Sequence, residues 1–316
     1  MHTPSKTDLR AIPPTKVIAV LCSDLHLSHA APLNRTNEPS WYAAQFKYVF
    51  ELRRLAVVNS CPVVCAGDVF DTWRSPPELI NWAHDQLPTM YAVPGQHDLP
   101  YHSLFDIKSS AYWTLVQTGR IINLEHKVPN TDNNVTMHGF PWGTEIHPCP
   151  VKKKNRMVQL AVIHAYCWTK GCNYPGATEE CRVTKWREEL STYDAVIFGD
   201  NHKGFLSTKQ KPHILNCGTF MRRKADERLY KPKIGLLHAN GDISVVDNSP
   251  DGEVFLDTPD VLEPDPKRIL QLTEQLHELY RDGIINFLEA LDHFTEDKQT
   301  RKEVRNLILK SAKMKY

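Results

Sequence analysis

Lys16-Val17-Ile18-Ala19-Val20-Leu21-Cys22-Ser23-Asp24-Leu25-His26 is the stretch that decides how this chain folds. A short apolar run rich in β-branched residues stops abruptly at a polar, metal-competent cluster, and such runs read as buried strands. The same figure returns further along. Residues 62–66 lead into Gly67-Asp68, residues 90–93 into Gly95-Gln96-His97-Asp98, residues 160–163 into His164, and residues 195–198 into Gly199-Asp200-Asn201-His202. Between the first two runs, residues 41–59 place Tyr42, Phe46, Val49 and Phe50 on one helical face. Pro76-Pro77 then opens a second helix through Ile80, Trp82, Ala83 and Leu87, with the prolines where a missing N–H costs little. Alternating strands and helices at this spacing predict a layered α/β fold. Ligands in such sheets sit beyond the carboxyl ends of the strands, where all five polar clusters fall.

Composition sets looser limits. With 316 residues, 41% hydrophobic and 24% charged, the chain reads as an ordinary globular protein with room for one large domain and a smaller one. A net charge of +1 means that any nucleic-acid surface must be a local patch. No apolar run approaches the ~20 residues needed to span a bilayer, which argues against a membrane-spanning role. Residues 1–15 are polar, carry Pro13-Pro14 and lack the apolar core of a secretory signal, so they are expected to be extended or disordered and the protein cytoplasmic. Of the eight cysteines, Cys22, Cys61 and Cys65 lie in apolar runs and read as buried thiols of a reducing compartment. Cys167, Cys172 and Cys181 lack the paired C-x-x-C spacing of a structural zinc site.

Beyond residue 205 the pattern changes. Residues 214–217 read as a strand, and residues 234–237 and 243–246 as a hairpin turning at Asn240-Gly241. The Pro- and Asp-rich residues 248–266 look like a linker. Residues 267–316 are helical by pattern, through Ile269, Leu272, Leu276 and Leu279, then Ile285, Leu288 and Leu291, then Val304, Leu307 and Ile308.

Asp, His, Asp, His, His and Asp at strand ends are what a two-metal hydrolase needs. Two divalent ions roughly 3.5–4 Å apart clamp the attacking and leaving oxygens of a displacement at phosphorus and acidify water. Each cluster alone has a blander reading: an Asp after a strand as a helix cap, a His as a core residue, a Gly-Asp pair as a turn. Their recurrence at five strand ends favours the chemical reading.

Asp24-x-His26, Gly67-Asp68-Val69-Phe70-Asp71, Gly95-Gln96-His97-Asp98, His164 and Gly199-Asp200-Asn201-His202 resemble the calcineurin-like metallophosphoesterase signature D-x-H, G-D-x-x-D, G-N-H-D/E, H, G-H-x-H, in that order. Within that superfamily the chain resembles the SbcD-type DNA repair nuclease subunit and its phage and eukaryotic relatives. Thr72 and Ser75-Pro76-Pro77 after the second motif carry this likeness, as do Asn216-Cys217-Gly218-Thr219 with Asp226-Glu227, and the hairpin of residues 233–246. The resemblance spans about residues 16–247. It implies a four-layer α/β/β/α sandwich over residues 16–247, to which the composition and periodicity of the remaining residues add a linker over 248–266 and a small C-terminal helical appendage. It also implies a first ion held by Asp24, His26 and His202, a bridging Asp68, and a second ion held by Gln96, His164 and Asp200. His97 would face the scissile phosphate and protonate the leaving oxygen, with Asp98 orienting its imidazole. The two ions would be Mn²⁺, with Mg²⁺ as the alternative.

Two positions depart from that pattern: Gln96 stands for Asn and Asp200 for His. Gln reaches one methylene further and Asp is shorter than His, so a shifted ion could stay coordinated in a harder donor set that suits Mn²⁺ or Mg²⁺. The other reading is a weak or empty second site. For substrate, the resemblance implies DNA, cleaved as an exo- and endonuclease in repair and recombination. Lys152-Lys153-Lys154-Asn155-Arg156 and Arg222-Arg223-Lys224 could neutralise phosphates, or simply be solvated loops. Trp73-Arg74 could wedge against a base or pack in the core. The implied partner is an SbcC-type SMC-like ATPase docking on residues 267–316, which fit a self-packed helical cap equally well; a homodimer also stays open. A phosphomonoesterase, a cyclic-nucleotide phosphodiesterase and a metal-poor binding subunit are the competing functions.

Overall fold

The computed structural model of the chain describes residues 15–124, 127–130, 132–150, 157–174, 176–224 and 226–256. The basic run 152–156, all of the expected N-terminal segment but Thr15, and the helical appendage 267–316 lie outside the described residues.

Val17–Cys22 forms β1, almost wholly buried. It pairs antiparallel with β11 (Lys233–His238) and parallel with β2 (Val63–Cys65). Adding β12 (Ile243–Asp247), β3 (Met90–Ala92) and β4 (Ile121–Asn123) gives a six-stranded sheet in the order β12-β11-β1-β2-β3-β4. A second six-stranded sheet runs β5-β6-β7-β8-β10-β9. Its strands are β5 (Lys127–Asn130), β6 (Val135–Phe140), β7 (Val158–His164), β8 (Ala195–Gly199), β9 (Phe205–Ser207) and β10 (His213–Asn216).

Side chains alternate along these strands and sort into three cores. Val64 and Leu21 of the first sheet meet Leu160, Val162 and Ile197 of the second in a shared layer. Val20, Cys22, Val63, Cys65 and Met90 face the other way, under α1 (Trp41–Asn59), α2 (Pro77–Gln86) and α3 (Ala111–Gln117). Ala161, Ile163, Val196 and Phe198 face α4 (Val183–Glu189). Helix, sheet, sheet, helix is the sandwich expected.

Two local expectations change. α1 starts at Ser40, whose hydroxyl accepts from the Ala43 amide, and ends at left-handed Ser60. Its buried face is Trp41, Ala44, Gln45, Tyr48, Val49, Leu52 and Leu55; of the four expected positions only Val49 belongs to it, Tyr42 and Phe46 being half-buried and Phe50 52% exposed. Gln45 conceals the true stripe, because its amide is buried to clamp both backbone groups of Ser28. Also, residues 248–256, the first part of the expected linker, fold back onto the domain. Glu253 accepts from Arg35 and Tyr48 and pairs with Arg222. Arg35 is fully buried, and a buried guanidinium needs such a partner.

Candidate metal centre

Parallel β1, β2 and β3 end on one side of the first sheet, and β7 and β8 end on the same rim of the second. Each loop leaves its strand under tight control. The Asp24 amide donates to Gly67 O and the His26 amide to Asp68 O, each at 2.9 Å. Asp24, His26, Asp68 and Asp200 all sit at positive φ. Side chains other than glycine rarely adopt that backbone, and it is concentrated at functional sites. Three glycines let the elements converge. A Cβ on Gly67 would collide with the His164 ring, one on Gly95 with the Asp68 carboxylate, and one on Gly199 with Ala66 O and His164.

Three overlapping ligand groups result among the described residues, one of them His26, Asp71 and His97, and the other two sharing Asp24. In the first of these two, His26 Nε2 and His202 Nε2 stand 3.1 Å apart, and Asp24 Oδ1 lies 4.0 Å from the first and 3.9 Å from the second. The second gathers Asp24, Asp68 and His164, whose ligand atoms lie within 4.8 Å of one another. Asp68 Oδ2 lies between the groups, 3.7 Å from His26 Nε2 and 3.5 Å from His164 Nε2. Gln96 Oε1 is 2.6 Å from His164 Nε2, and Gln96 Nε2 donates to Asp200 Oδ1 at 2.7 Å. His97 joins the centre through its backbone amide, which donates to Asp68 Oδ1, and its Nδ1 lies 2.9 Å from Asp71 O.

Asp98 is a correction. Its buried carboxylate accepts from the amides of Val69, Phe70 and Gly95 and makes no contact with the His97 imidazole. Asp98 therefore ties the β2 and β3 loops together, and the Asp71 carbonyl fixes His97 instead. Two participants were missed as site residues. Asp71 Oδ1 lies 3.5 Å from His26 Nδ1 and 2.7 Å from Arg223 Nη1. The second Asp of Gly67-Asp68-Val69-Phe70-Asp71 was the available signal for Asp71. Nothing in the Arg222-Arg223-Lys224 run distinguished Arg223, which turns inward, from Arg222, which pairs with Glu253.

The electrostatics are those of a cation site. Burial lifts the Asp24 carboxyl to about 6, against the pull of His164. Burial would also lift Asp68, but His164, His26 and His97 hold it well below the usual carboxylate range. Burial opposes charge on His164, yet the Asp68 carboxylate raises its imidazole to about 10. Burial, with His26 and Lys224 nearby, depresses His202 to about 3. Asp24 Oδ2 and Asp68 Oδ2 are buried without a hydrogen-bond partner. Such atoms are costly unless a cation meets them. Carboxylate, imidazole and amide oxygens around two orphaned carboxylate oxygens fit divalent ions.

Cation uptake must displace the protons that now reside on His164 and, at lower pH, on Asp24. Mn²⁺ binding is therefore expected to release protons and to tighten as pH rises from 6 to 8. Calorimetry in PIPES and in Tris checks this, because proton release makes the observed heat differ between buffers. Equal heats would show that His164 carries no displaceable proton.

No helix among the described residues is long and apolar enough to cross a membrane. No curated protein matches the chain. Among solved structures, an archaeal phosphodiesterase is similar at 12% identity and TM-score 0.38, over 72% of this chain and 98% of its own. A putative 5'-nucleotidase from Staphylococcus aureus is similar at 12% identity and TM-score 0.47, over 82% of this chain and 58% of its own. A calcineurin-like phosphoesterase from Bacillus subtilis is similar at 12% identity and TM-score 0.43, over 84% of this chain and 98% of its own. These scores are too low to carry anything about this chain. A family model does match directly: calcineurin-like phosphoesterase, over residues 19–204. That span is more than half of the chain and holds every strand end from Asp24 to His202, so the metal-ligand groups described above fall within it. The chain belongs to the calcineurin-like phosphoesterase family.

Proposed function

We propose that this chain is a metal-dependent phosphodiesterase acting on DNA, of the SbcD type it resembles. The observation that carries the nucleic-acid reading is an aromatic and basic rim directly after His97. Tyr101 is 78% exposed and Phe105 93% exposed. Trp73 packs on Tyr101 at 5.8 Å, and the Arg74 guanidinium lies 4.7 Å from the Trp73 ring. Tyr101 and His102 are both held at positive φ. Exposed large aromatics beside a phosphoester centre are stacking platforms for bases, each worth about 1–3 kcal/mol. Trp73, half-buried, and Arg74, exposed, thus belong to this rim.

Asp24, His26, His202 and Asp68 would hold one ion, and Asp68, His164 and Gln96 the other. When bound, the ions supply Lewis acidity and lower the pKa of water. Manganese is the proposed metal, because the donors are mostly hard oxygens and imidazoles with no thiolate. His97 delivers the proton to the leaving oxygen, its ring fixed by the Asp71 carbonyl. An SbcC-type ATPase would be the partner and residues 267–316 its docking segment.

The test is a hydrolysis panel with Mn²⁺: labelled duplex DNA, a phosphate bis-ester, a phosphate mono-ester and a cyclic nucleotide. DNA and the bis-ester should be cleaved and EDTA should stop both. Replacing Tyr101 and Phe105 by Ala should raise KM for DNA about tenfold or more, in line with the stacking energy, and leave bis-ester kinetics unchanged. Preference for the mono-ester or the cyclic nucleotide would replace this function with a phosphomonoesterase or a cyclic phosphodiesterase. Metal uptake with no hydrolysis of any substrate would leave a binding subunit.

A further inference from the structure

The two residues that break the family pattern, Gln96 and Asp200, touch each other, and the contact has a direction. A side-chain amide presents an oxygen at one corner and an NH₂ at the other, and only the oxygen can meet a cation. Here Gln96 Nε2 donates to Asp200 Oδ1 at 2.7 Å, and Oε1 is left 2.6 Å from His164 Nε2. An ionised carboxylate accepts only, so Asp200 permits one amide orientation and rejects its flip. Asp200 is itself anchored, because its backbone amide donates to Asp24 Oδ1 at 3.0 Å and its φ is +85°. Among the described residues, no convergent ligand group contains Asp200; the second pocket is formed by Asp24, Asp68 and His164. The Asp200 carboxylate meets that pocket through Gln96.

We propose that Asp200 is a positioning residue and not a metal ligand: it holds the Gln96 amide so that Oε1, with Asp68 and His164, forms a second cation site lacking one protein donor. Exchanging an imidazole for a carboxylate one side chain further out has a consequence for the pair of ions. The first site keeps two imidazoles and the carboxylates of Asp24 and Asp68, whereas the second has a single imidazole. The chain therefore binds its two ions unequally, and the weaker site has positions left for water or substrate oxygens, which suits Mn²⁺ or Mg²⁺ over Zn²⁺. This rests on the metal-centre reading but not on DNA as substrate.

The experiment is titration of the full chain with MnCl₂, following free Mn²⁺ by electron paramagnetic resonance, with thermal denaturation alongside. Wild type should show one tight and one weak site. Asp200→Ala should weaken only the second site, by roughly the 10–100-fold typical of losing a group that orients a ligand. Asp200→Asn keeps an acceptor for Gln96 Nε2 and should retain most of that affinity. In the Gln96→Leu background the second site is already weakened, and neither change at position 200 should weaken it further. Equal damage by Asn and Ala, or a further loss in the Gln96→Leu background, would make Asp200 a direct ligand and overturn the proposal. A second site indifferent to all three changes would show that Asp200 neither ligates nor positions, and would overturn the proposal as well. If Asp200→Ala does not fold, Asp200→Asn with and without Gln96→Leu gives the same decision. Failure of the first site to bind Mn²⁺ would instead overturn the metal centre itself.

Discussion

Replacing Asp68 by Asn is expected to give a folded chain that retains neither ion and hydrolyses no phosphoester above background. The two oxygens of Asp68 have separate duties. Oδ1 accepts the His97 amide at 2.9 Å, and an Asn oxygen can do the same, so the β3 loop keeps its anchor. Oδ2 has no hydrogen-bond partner and stands between His26 Nε2 and His164 Nε2. In the variant an NH₂ group takes that position, adding a donor where a cation needs an acceptor and removing the negative charge that lies between the His26 and His164 imidazoles. Elemental analysis after dialysis, circular dichroism and bis-ester hydrolysis on one preparation measure all three consequences. Full retention of one ion with measurable turnover would show that Asp68 does not bridge.

His97→Asn should behave in the opposite way, keeping both ions while turnover falls by roughly 10²–10⁴-fold, the usual loss for a general acid. Charge on the leaving oxygen develops only in the transition state, so the imidazole contributes to rate far more than to ground-state binding. Geometry supplies the counter-hypothesis as well. His26, Asp71 and His97 also form a group within ligand distance, and the His26 and His97 rings lie edge to face at 4.8 Å. Metal content decides between them. An ion lost from His97→Asn makes His97 a ligand; unchanged cleavage with both ions bound places the acid elsewhere. DNA affinity measured on the same sample should be nearly unaltered.

The strands that carry the site were legible because their apolar runs are buried and end in residues that cannot belong to a core unpaired, whereas β4, β5, β6 and β9 were not expected. That one regularity located Asp24, His26, Asp68, Gln96, His97, His164, Asp200 and His202 on a common rim. Direction was not legible. Asp98 and Asp71 flank His97 in space, yet which carboxylate meets a ring and which meets backbone amides depends on loop turns that no periodicity encodes. Buried polar side chains hid other features: Gln45 masked the inner face of α1, and acidic, proline-rich composition made residues 248–256 resemble a tether. The Gln96–Asp200 contact was invisible for a related reason, since residues so far apart in sequence have no pattern in common until the two sheets bring their ends together.

The return of residues 248–256 determines where this protein can be cut. Glu253 neutralises Arg35, which also donates to Glu38 and to the carbonyl of Arg222 and lies 4.6 Å from the Phe255 ring. A fragment ending with β12 at Asp247 would carry the proposed metal ligands and every strand among the described residues, yet leave a fully buried guanidinium without Glu253, one of its two carboxylate partners. Breaking such a pair from one side costs about 3–5 kcal/mol, a large share of a domain's margin. Arg222 would be released by the same cut, and with it the segment that presents Arg223 to Asp71. The buried Arg35 and the segment that borders the metal centre are thus stitched by one acidic side chain, and a minimal fragment has to run past Phe255.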